Sequence, residues 1–575
     1  MFPGAYAQGG DGGYAWAGLA SRLVSAAVAK RKASDLFVEC LENEGVRHVF
    51  GIPGEETLDL NESLSKSQVE FVPVRHEQGG AYIADVYGRL TGRAGVCLGT
   101  LGPGAMNLTT PIADAYLDSA PLVALTGQGD LERMHKESHQ FIDVLSVLGP
   151  ITKWNARLNN PRIIPEVVRK AFKLAQQQKP GPTHIELPED VMEEEVDAEP
   201  LPVSDRVRRP EPSQEEIEQA ADLIRNARSP IVLAGNGAMR VSASAALREF
   251  SEATGIPVAE TFMGKGLVDN RGENALGAVG LQAGDYDMAG FDEADVVITV
   301  GFDLVEHSPD HWNGDRDKKI VYIDTVPVEV DAYFVTGADL VGDVNRILGR
   351  LTHECSGLGP GGGSSRLRDV VLGRLEAARD DDAFPMQPPR ALWEIRQVLG
   401  DEDILISDVG LHKLWIGRMY PAHEPNTCLI ANGLAGMGFA LPAAIAAKLV
   451  HPDRNVITVN GDGGFLMNFQ ELETAKRLRT AFVNVIWEDR QYGSIVWKQD
   501  KKFGEHFGTD FTNPDFVKLA DSFGLPAWRC ESAEDFPCYL RAALGHDGPT
   551  VVVLPIDYSI DVAISEELGH ETVAT

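Results

Sequence analysis

Four kinds of feature are scarce or absent in this 575-residue chain, and each argues against a class of protein. No apolar run approaches the length of a membrane-spanning helix. The first residues contain no early basic segment, so we expect no secretory signal. Positive charge is in short supply, because 52 Lys and Arg against 85 Asp and Glu give a net charge of −33. This balance argues against nucleic acid and against a membrane as partners.

Cysteine is also sparse, and its spacing excludes the usual motifs. None of the six cysteines belongs to a Cys-x-x-Cys pair. Scattered single cysteines are typical of reduced thiols inside a cell. The sequence therefore predicts a cytoplasmic protein without disulfides.

The chain is long enough for three domains of ordinary size, and strand-like and helix-like patterns alternate along it. This alternation predicts an α/β fold with parallel sheets. In the middle of the chain, strands are expected at residues 230–234, 294–300 and 319–324. The predicted units are a Gly- and Ala-rich extension at 1–31, domains at 32–196, 213–352 and 389–560, a linker at 353–388 and a tail at 561–575.

The most informative motif is the run Gly-Asp-Gly-Gly that begins at Gly461. It follows a strand-like run and precedes a helix-like one, so its backbone N–H groups can face a phosphate. A second acid, Asp489, follows the next strand-like run. Because the ends of neighbouring parallel strands lie side by side, Asp462 and Asp489 can reach one Mg²⁺. The alternative is an ordinary βαβ unit with two surface acids in its loops.

With these residues the segment resembles the thiamine diphosphate (ThDP) signature, although Glu488-Asp489 stands where Asn-Asn is common. The Asp at the second position resembles the catabolic, FAD-independent acetolactate synthases. The resemblance extends over about residues 32–560. It implies three doubly wound parallel-sheet domains of the ThDP-dependent decarboxylase and carboligase type, the first binding the pyrimidine and the third the diphosphate.

The resemblance also implies a set of cofactor-binding residues. Glu77, in the run Arg75-His76-Glu77, corresponds to the acid that contacts the aminopyrimidine. Asp462, Asp489 and the backbone carbonyl of Gln491 correspond to the Mg²⁺ ligands. The other residues implied to bind ThDP are Gly410, Leu411, His412, Gly436, Met437, Gly463, Gly464, Tyr492 and Gly493.

Four further residues match family blocks near the substrate: Gln128, His139, Gln140 and Lys153. A neutral amide at Gln128 and a cation at Lys153 suit an anionic 2-oxo acid. Each of these residues also has a plain structural interpretation, such as a turn, a hydrogen-bonded histidine or a solvated lysine. Likewise Glu77 is compatible with a simple acid at a helix N-terminus, and Met437 with core packing.

The activity implied is that of an acetolactate synthase, which decarboxylates pyruvate and joins the product to a second pyruvate, giving 2-acetolactate and CO₂. A homodimer or homotetramer is implied, with each active site at a subunit interface. The central domain resembles the catabolic group, so FAD is not expected; Gly235-Asn236-Gly237 is only a weak dinucleotide signal. The alternatives are another ThDP carboligase or 2-oxo-acid decarboxylase, a non-catalytic ThDP-binding paralogue and a nucleotide-binding protein.

Overall fold

The structure is a computed structural model that describes residues 30–203, 209–281, 283–359 and 361–560. The predicted tail at 561–575 and all but the last two residues of the predicted extension at 1–31 lie outside the described residues. The described chain forms three six-stranded sheets, each with helices on both faces. This confirms the α/β prediction.

The first sheet is parallel and has the strand order β3-β2-β4-β5-β7-β6. Its central strands are buried along their whole length, as their continuous apolar sequence requires. A short antiparallel pair, β1 with β8, closes the domain. The strands are β1 Arg31–Lys32, β2 His48–Gly51, β3 Glu70–Pro73, β4 Gly95–Gly99, β5 Leu122–Gln128, β6 Trp154–Arg157, β7 Pro182–Pro188 and β8 Glu195–Val196. The helices are α1 Ala33–Asn43, α2 Leu58–Leu64, α3 Glu77–Thr91, α4 Pro103–Asn107, α5 Thr109–Leu117, α6 Val144–Leu148, α7 Ile164–Gln176 and α8 Glu189–Glu193.

The central sheet is also parallel and has the order β11-β10-β9-β12-β13-β14, which is the Rossmann order. A capping box is present at Ser213, whose hydroxyl accepts from the Glu216 N–H. The strands are β9 Pro230–Ala234, β10 Val258–Glu260, β11 Ala275–Ala278, β12 Val296–Val300, β13 Lys319–Asp324 and β14 Thr336–Val341. The helices are α9 Gln214–Arg225, α10 Asn236–Arg240, α11 Ser244–Thr254, α12 Ala283–Met288, α13 Asp310–Asn313 and α14 Val344–Cys355.

The predicted linker at 353–388 contains a helix, α15 Arg366–Ala377. Leu367, Val371 and Leu375 are buried on one face of this helix. They join a hydrophobic cluster shared by the central and third domains. The glycines at 357–363 directly precede the helix and gave the stretch the composition of a linker, so the sequence did not predict the helix.

The third sheet is parallel and has the order β16-β15-β17-β18-β20-β19. Taken in chain order, its strands follow the same sequence of positions as those of the first sheet. The strands are β15 Ile404–Ser407, β16 Cys428–Ile430, β17 Val456–Gly461, β18 Val483–Glu488, β19 Ala527–Arg529 and β20 Thr550–Pro555. The helices are α16 Pro388–Val398, α17 Leu411–Met419, α18 Ala440–Val450, α19 Asp462–Asn468, α20 Glu471–Leu478, α21 Gly493–Phe503, α22 Phe516–Ser522 and α23 Asp535–Leu544.

The first and third domains share one hydrophobic core, in which α3 packs on α18. Tyr82 of α3 lies edge-on to Phe439, which precedes α18, with 5.6 Å between ring centroids. A buried ionic cluster lies nearby: Arg89 pairs with Asp85 and Asp118 at 2.7 and 2.9 Å. The backbone N–H of Gly433 in turn donates to Asp118 at 2.6 Å, which ties the two domains together. Among the residues described, no helix is long and apolar enough to cross a membrane.

Candidate active site

The third sheet reverses its strand order between β15 and β17, and a cavity of about 890 Å³ opens there. Open α/β sheets bind ligands at this position, beyond the carboxyl ends of the strands. The turns that follow β15, β17 and β18 all contribute to the cavity. Its lining consists of Val409, Gly410, Leu411, His412, Ala435, Met437, Gly461, Asp462, Gly463, Gly464, Asp489, Gln491, Tyr492, Gly493, Ser494, Ile495 and Tyr558.

Asp462 is the first residue of α19, directly after the glycine that ends β17. Its buried carboxylate binds the next loop: Oδ2 accepts from the Arg490 N–H and from Asn513 Nδ2, each at 2.7 Å. The other oxygen, Oδ1, accepts from the Gly463 N–H at 2.8 Å. Arg490 adopts a left-handed φ of 61°, a conformation that non-glycine residues seldom adopt outside constrained sites. The loop carrying Asp489 and Gln491 is thereby held against the glycine turn.

Asp489 and Asp462 form a pair of carboxylates with little solvent around them. Burial, followed by the negative charge of Asp462, raises the pKa of Asp489 to about 7. Burial likewise raises the pKa of Asp462. Two neighbouring carboxylates, one buried and one partly buried, are stabilised in the charged form when a cation accompanies them. This is an observation in favour of a divalent metal between them.

Glu488, which stands where the ThDP signature has Asn, does not line this cavity. Its carboxylate is buried and forms an ion pair with Arg529. Asn513 Nδ2 lies 3.4 Å from Glu488 Oε1 and therefore links this pair to Asp462. The departure from the signature is thus balanced by an arginine within the same domain.

The wall opposite the glycine turn comes from the start of α17. His412 is buried, its edge faces Trp487, and burial lowers its pKa to about 3. Its Nε2 has no hydrogen-bond partner among the described residues. In the tautomer that carries the proton on Nε2, this unpaired nitrogen can donate to an acceptor oxygen such as that of a phosphate. A side chain at Gly410 or Gly461 would meet the imidazole, at 2.6 and 3.1 Å respectively, so these glycines make room for it.

Asp408 stabilises the same wall of the cavity through backbone hydrogen bonds. It is fully buried, and its Oδ1 accepts from the N–H groups of Val409 and Gly438 at 2.6 and 2.9 Å. Burial raises the pKa of its carboxyl group to about 6. Through these bonds Asp408 joins the turn after β15 to the loop that carries Met437.

Among the predicted cofactor-binding residues, only Glu77 and Gly436 are absent from the lining of this cavity, as the described part of the chain forms it. Gly436 lies between two lining residues, and a side chain there would come within 2.2 Å of the Tyr82 hydroxyl. Glu77 begins α3 in the first domain. It is buried, and its Oε2 accepts from Asn107 Nδ2 at 2.9 Å. The segment before it is anchored by Glu471, which accepts from the N–H groups of Arg75 and His76.

The four predicted substrate residues are spread over the first domain. Gln128 ends β5 with its amide enclosed: Nε2 donates to Glu186 at 2.9 Å, and Oε1 accepts from the Gly129 N–H at 3.0 Å. The ammonium of Lys153 donates to the carbonyls of Leu174 and Gln177, which belong to the end of α7. Burial lowers the pKa of Lys153 to about 8. His139 and Gln140 lie on an exposed loop, where the Gln140 backbone approaches Gly102. None of the four lines the described cavity of the third domain.

Tyr558, Ser494, Ile495 and Ala435 line the cavity but were not predicted. Tyr558 arrives from the chain after β20, which pairs with β18 and so ends beside Asp489. Tyr558 is thus a neighbour of Asp489 through the order of the strands in the sheet, which the local sequence does not show. Ser494 and Ile495 directly follow the predicted Gly493 on α21, so a longer motif would have included them.

Comparisons with known proteins agree with this geometry. Three family models of thiamine pyrophosphate enzymes match: the N-terminal TPP binding domain at residues 31–147, the central domain at 217–351 and the C-terminal TPP binding domain at 408–554. The chain is 32% identical over 549 residues to an acetolactate synthase of Bacillus subtilis, covering 94% of this chain and 95% of that protein. It is 35% identical over 536 residues to a catabolic acetolactate synthase of Raoultella terrigena, covering 91% and 95%. It is 36% identical over 557 residues to a probable acetolactate synthase large subunit of Methanocaldococcus jannaschii, covering 92% of each chain. The chain therefore belongs to the acetolactate synthase family of thiamine pyrophosphate enzymes.

Proposed function

We propose that this protein is an acetolactate synthase that uses ThDP and Mg²⁺. It decarboxylates pyruvate and joins the two-carbon unit to a second pyruvate, giving 2-acetolactate and CO₂. The observation that carries this proposal is the pair of cavity-lining carboxylates Asp462 and Asp489, beside the glycine turn at the switch point of the third sheet. The names of the relatives give the reaction, and the pair gives a reason for a cation and a diphosphate.

The residues present fit the cofactor. Asp462, Asp489 and the carbonyl of Gln491 would hold the metal. In the described residues no cluster of three or more His, Cys, Asp and Glu could hold a metal ion. Two carboxylates and one carbonyl leave coordination positions for phosphate oxygens and water, which is how Mg²⁺ is usually bound. The N–H groups of Gly463 and Gly464 and the unpaired His412 Nε2 would contact the diphosphate.

When bound, the cofactor supplies an electron sink for the electron pair that remains on the substrate carbon when CO₂ leaves. The chain supplies positions and protons. Met437 forms an apolar part of the cavity wall against which the cofactor would bend. Glu77 would exchange a proton between its carboxyl oxygen and the pyrimidine ring, with Asn107 fixing the orientation of that carboxyl group. Tyr492 and Ile495, both on the open side of the cavity, would exclude water and position the second pyruvate.

The assembly we propose is a homodimer or homotetramer in which Glu77 of one subunit meets the third-domain cavity of another. Two observations support it: Glu77 does not line the described cavity of its own chain, and the first and third sheets have the same strand order. Two sheets of like topology can pair about a two-fold axis, which makes the same contact twice. Gln128, His139, Gln140 and Lys153 remain predictions at the substrate side of this assembly.

We also propose that the enzyme works without FAD. In a Rossmann sheet the first βα turn binds the pyrophosphate of a dinucleotide. Here the turn after β9 is engaged by the protein itself, since the Asn236 N–H donates to Glu306 Oε1 at 2.9 Å and the Gly237 N–H to the Gly301 carbonyl at 2.7 Å.

The six thiols are free, five of them buried, which supports a cytoplasmic location.

The experiment is turnover of pyruvate by the purified full chain with ThDP and Mg²⁺, with products identified by NMR. Acetolactate from the wild type and at least a hundredfold less from Glu77→Gln is the expected result. Acetaldehyde as the sole product would replace the proposal with a simple decarboxylase. Unchanged pyruvate in the presence of bound ThDP would overturn pyruvate as the substrate.

A further inference from the structure

A second cavity, of about 900 Å³, lies between the central and third domains, next to the cofactor cavity. The two cavities share Ala435, and the consecutive residues His412 and Lys413 each line one of them. The second cavity is lined by Phe262, Gly280, Leu304, Val305, Glu306, His307, Ser308, His311, Lys413, Leu414, Asn432, Gly433, Leu434 and Ala435. The proposed reaction assigns no role to the residues that line this second cavity.

Lys413 is the unusual member of this lining, because its ammonium group is enclosed and its partners are neutral. Nζ donates to Asn432 Oδ1 at 3.0 Å and to the Ala431 carbonyl at 3.4 Å. An ammonium group has three donors, so one remains for a ligand. The carboxylates whose charge reaches Lys413, those of Asp114 and Asp118, already bind Arg89 at 3.6 and 2.9 Å. Burial lowers the pKa of Lys413, and an anionic ligand beside the ammonium group would stabilise its charged form.

The rest of the lining limits that ligand to one carboxylate on a short apolar body. Apolar side chains form much of the wall, among them Phe262, Leu304, Val305, Leu414 and Leu434. The Ser308 hydroxyl and the His311 imidazole add polar contacts. His307 has an unpaired buried Nε2, and its ring is enclosed against Phe262 and Gly280. Burial lowers the pKa of His307 to about 3, so it offers a neutral ring rather than a second cation. A phosphate or dicarboxylate would need more positive charge than Lys413 supplies.

Among the described residues that line the cavity, Glu306 is the one acid. Its negative charge opposes an anionic ligand only weakly. Its Oε1 accepts from the Asn236 N–H. Burial, followed by the charge of Asp303, raises the pKa of Glu306 to about 7, so its negative charge is reduced near neutral pH.

We propose that this second cavity binds a small monocarboxylate of the 2-oxo acid class, with Lys413 as the partner of the carboxylate. The identity of the acid rests on the proposed function, since a 2-oxo acid is the substrate of the adjoining cavity. The binding itself rests on the enclosed ammonium group and the apolar wall. Lys413 is thus a residue that binds the acid in the second cavity rather than a group that reacts.

The test uses lactate, a non-reacting monocarboxylate of the same size, with the full chain, ThDP and Mg²⁺. Saturation transfer from the protein to the lactate methyl group in NMR measures binding without turnover. We expect Lys413→Gln to weaken lactate binding at least tenfold, and Lys413→Arg, which keeps the charge, to retain it within about threefold. Lys448→Gln is the matched control, because Lys448 is another partly buried lysine that donates to two carbonyls, at 2.6 and 2.7 Å, outside both cavities. It should bind lactate like the wild type.

A second variant protects the test against misfolding of Lys413→Gln. Val305 lines the cavity with a side chain that is 38% exposed, so Val305→Trp fills space without disturbing a core position. We expect it also to weaken lactate binding while Lys413 is intact. Lactate binding at wild-type strength in both variants, or none in the wild type, would overturn the proposal. Acetolactate formation is measured separately, so a wild type that binds lactate through Lys413 but makes no acetolactate would refute the proposed function and keep the site.

Discussion

At the scale of single residues, the proposed metal site depends on the acid–base state of Asp489. Burial and the neighbouring Asp462 raise the pKa of Asp489 to about 7. A carboxylate must be deprotonated to bind Mg²⁺, so the metal competes with a proton at this residue. This competition therefore falls near neutral pH.

We therefore predict that Mg²⁺ affinity falls as the pH is lowered from 8 to 6, approaching a tenfold loss per pH unit below the pKa of Asp489. Asp489→Asn should weaken binding at least tenfold at pH 8 and remove most of this pH dependence. Isothermal titration of the full chain with Mg²⁺ in the presence of ThDP measures both effects. A wild-type affinity that is constant from pH 6 to 8 would contradict the assignment of Asp489 as a ligand.

The same shift predicts how the metal affects stability. The pKa of Asp489 is higher in the folded chain than the ordinary value of 3.8, so the folded state binds more protons between about pH 4 and 7. The contribution of Asp489 to the stability of the metal-free protein therefore declines as the pH rises through this window. Mg²⁺ offsets the charge, so adding Mg²⁺ and ThDP should raise Tm more at pH 8 than at pH 6. In Asp489→Asn, the difference between the two pH values should shrink.

Sequence reasoning found those cavity residues that adjoin a recognisable motif, such as Asp462, His412 and Tyr492. It did not find Tyr558, because that residue reaches the cavity through the position of β20 beside β18, which no local pattern encodes. The contacts of Lys153 are equally non-local: its ammonium group lies against the end of α7, more than twenty residues along the chain. A motif gives a residue's type and neighbours in sequence, but not the direction in which tertiary packing turns its side chain.

At the scale of elements, α3 is the helix on which packing between the first and third domains depends. Strands such as β9 and β13 were predicted at their observed bounds, because each is a short apolar run between turn residues. Strands β10, β11 and β14 were not predicted, since they are short or carry polar residues. Helix α15 was hidden by the glycines before it, although Leu367, Val371 and Leu375 form an apolar stripe.

The interior of α3 offers a test of how tightly this helix is packed. A methyl group at Gly88 would lie 2.2 Å from the Pro121 carbonyl oxygen, which is backbone and cannot move aside cheaply. We predict that Gly88→Ala destabilises the protein by about 1–3 kcal/mol, the usual cost of overpacking. Urea-induced unfolding followed by circular dichroism measures the change.

The matched control is Gly349→Ala in α14, where the added methyl group meets no atom within 4 Å. Since alanine is preferred over glycine inside a helix, this change should stabilise the protein by about 0.5–1 kcal/mol. Equal effects of the two substitutions would show that helix propensity, and not the contact with Pro121, governs α3.

At the scale of the whole molecule, the first and third domains repeat one topology while carrying different halves of the proposed site. Glu77 lies at the start of α3, and Asp462 and Asp489 lie beyond β17 and β18. In one chain these halves do not line a common cavity among the described residues. A catalytic site at a two-fold interface would join the Glu77 of one subunit to the Asp462 of another.

Mixing two inactive variants distinguishes this arrangement from a site within one chain. Glu77→Gln and Asp462→Asn each remove one half, and each alone should reduce acetolactate formation at least a hundredfold. In a dimer that contains one chain of each kind, one of the two active sites receives both wild-type residues and the other receives neither. Random pairing makes half of the dimers mixed, so co-expression of the two variants should restore about a quarter of the wild-type activity. If both residues act within one chain, every chain in the mixture lacks one of them and the activity stays at the level of the single variants. Sequential purification on the two affinity tags of co-expressed chains verifies that mixed dimers have formed, so that an absence of rescue would refute the interface site.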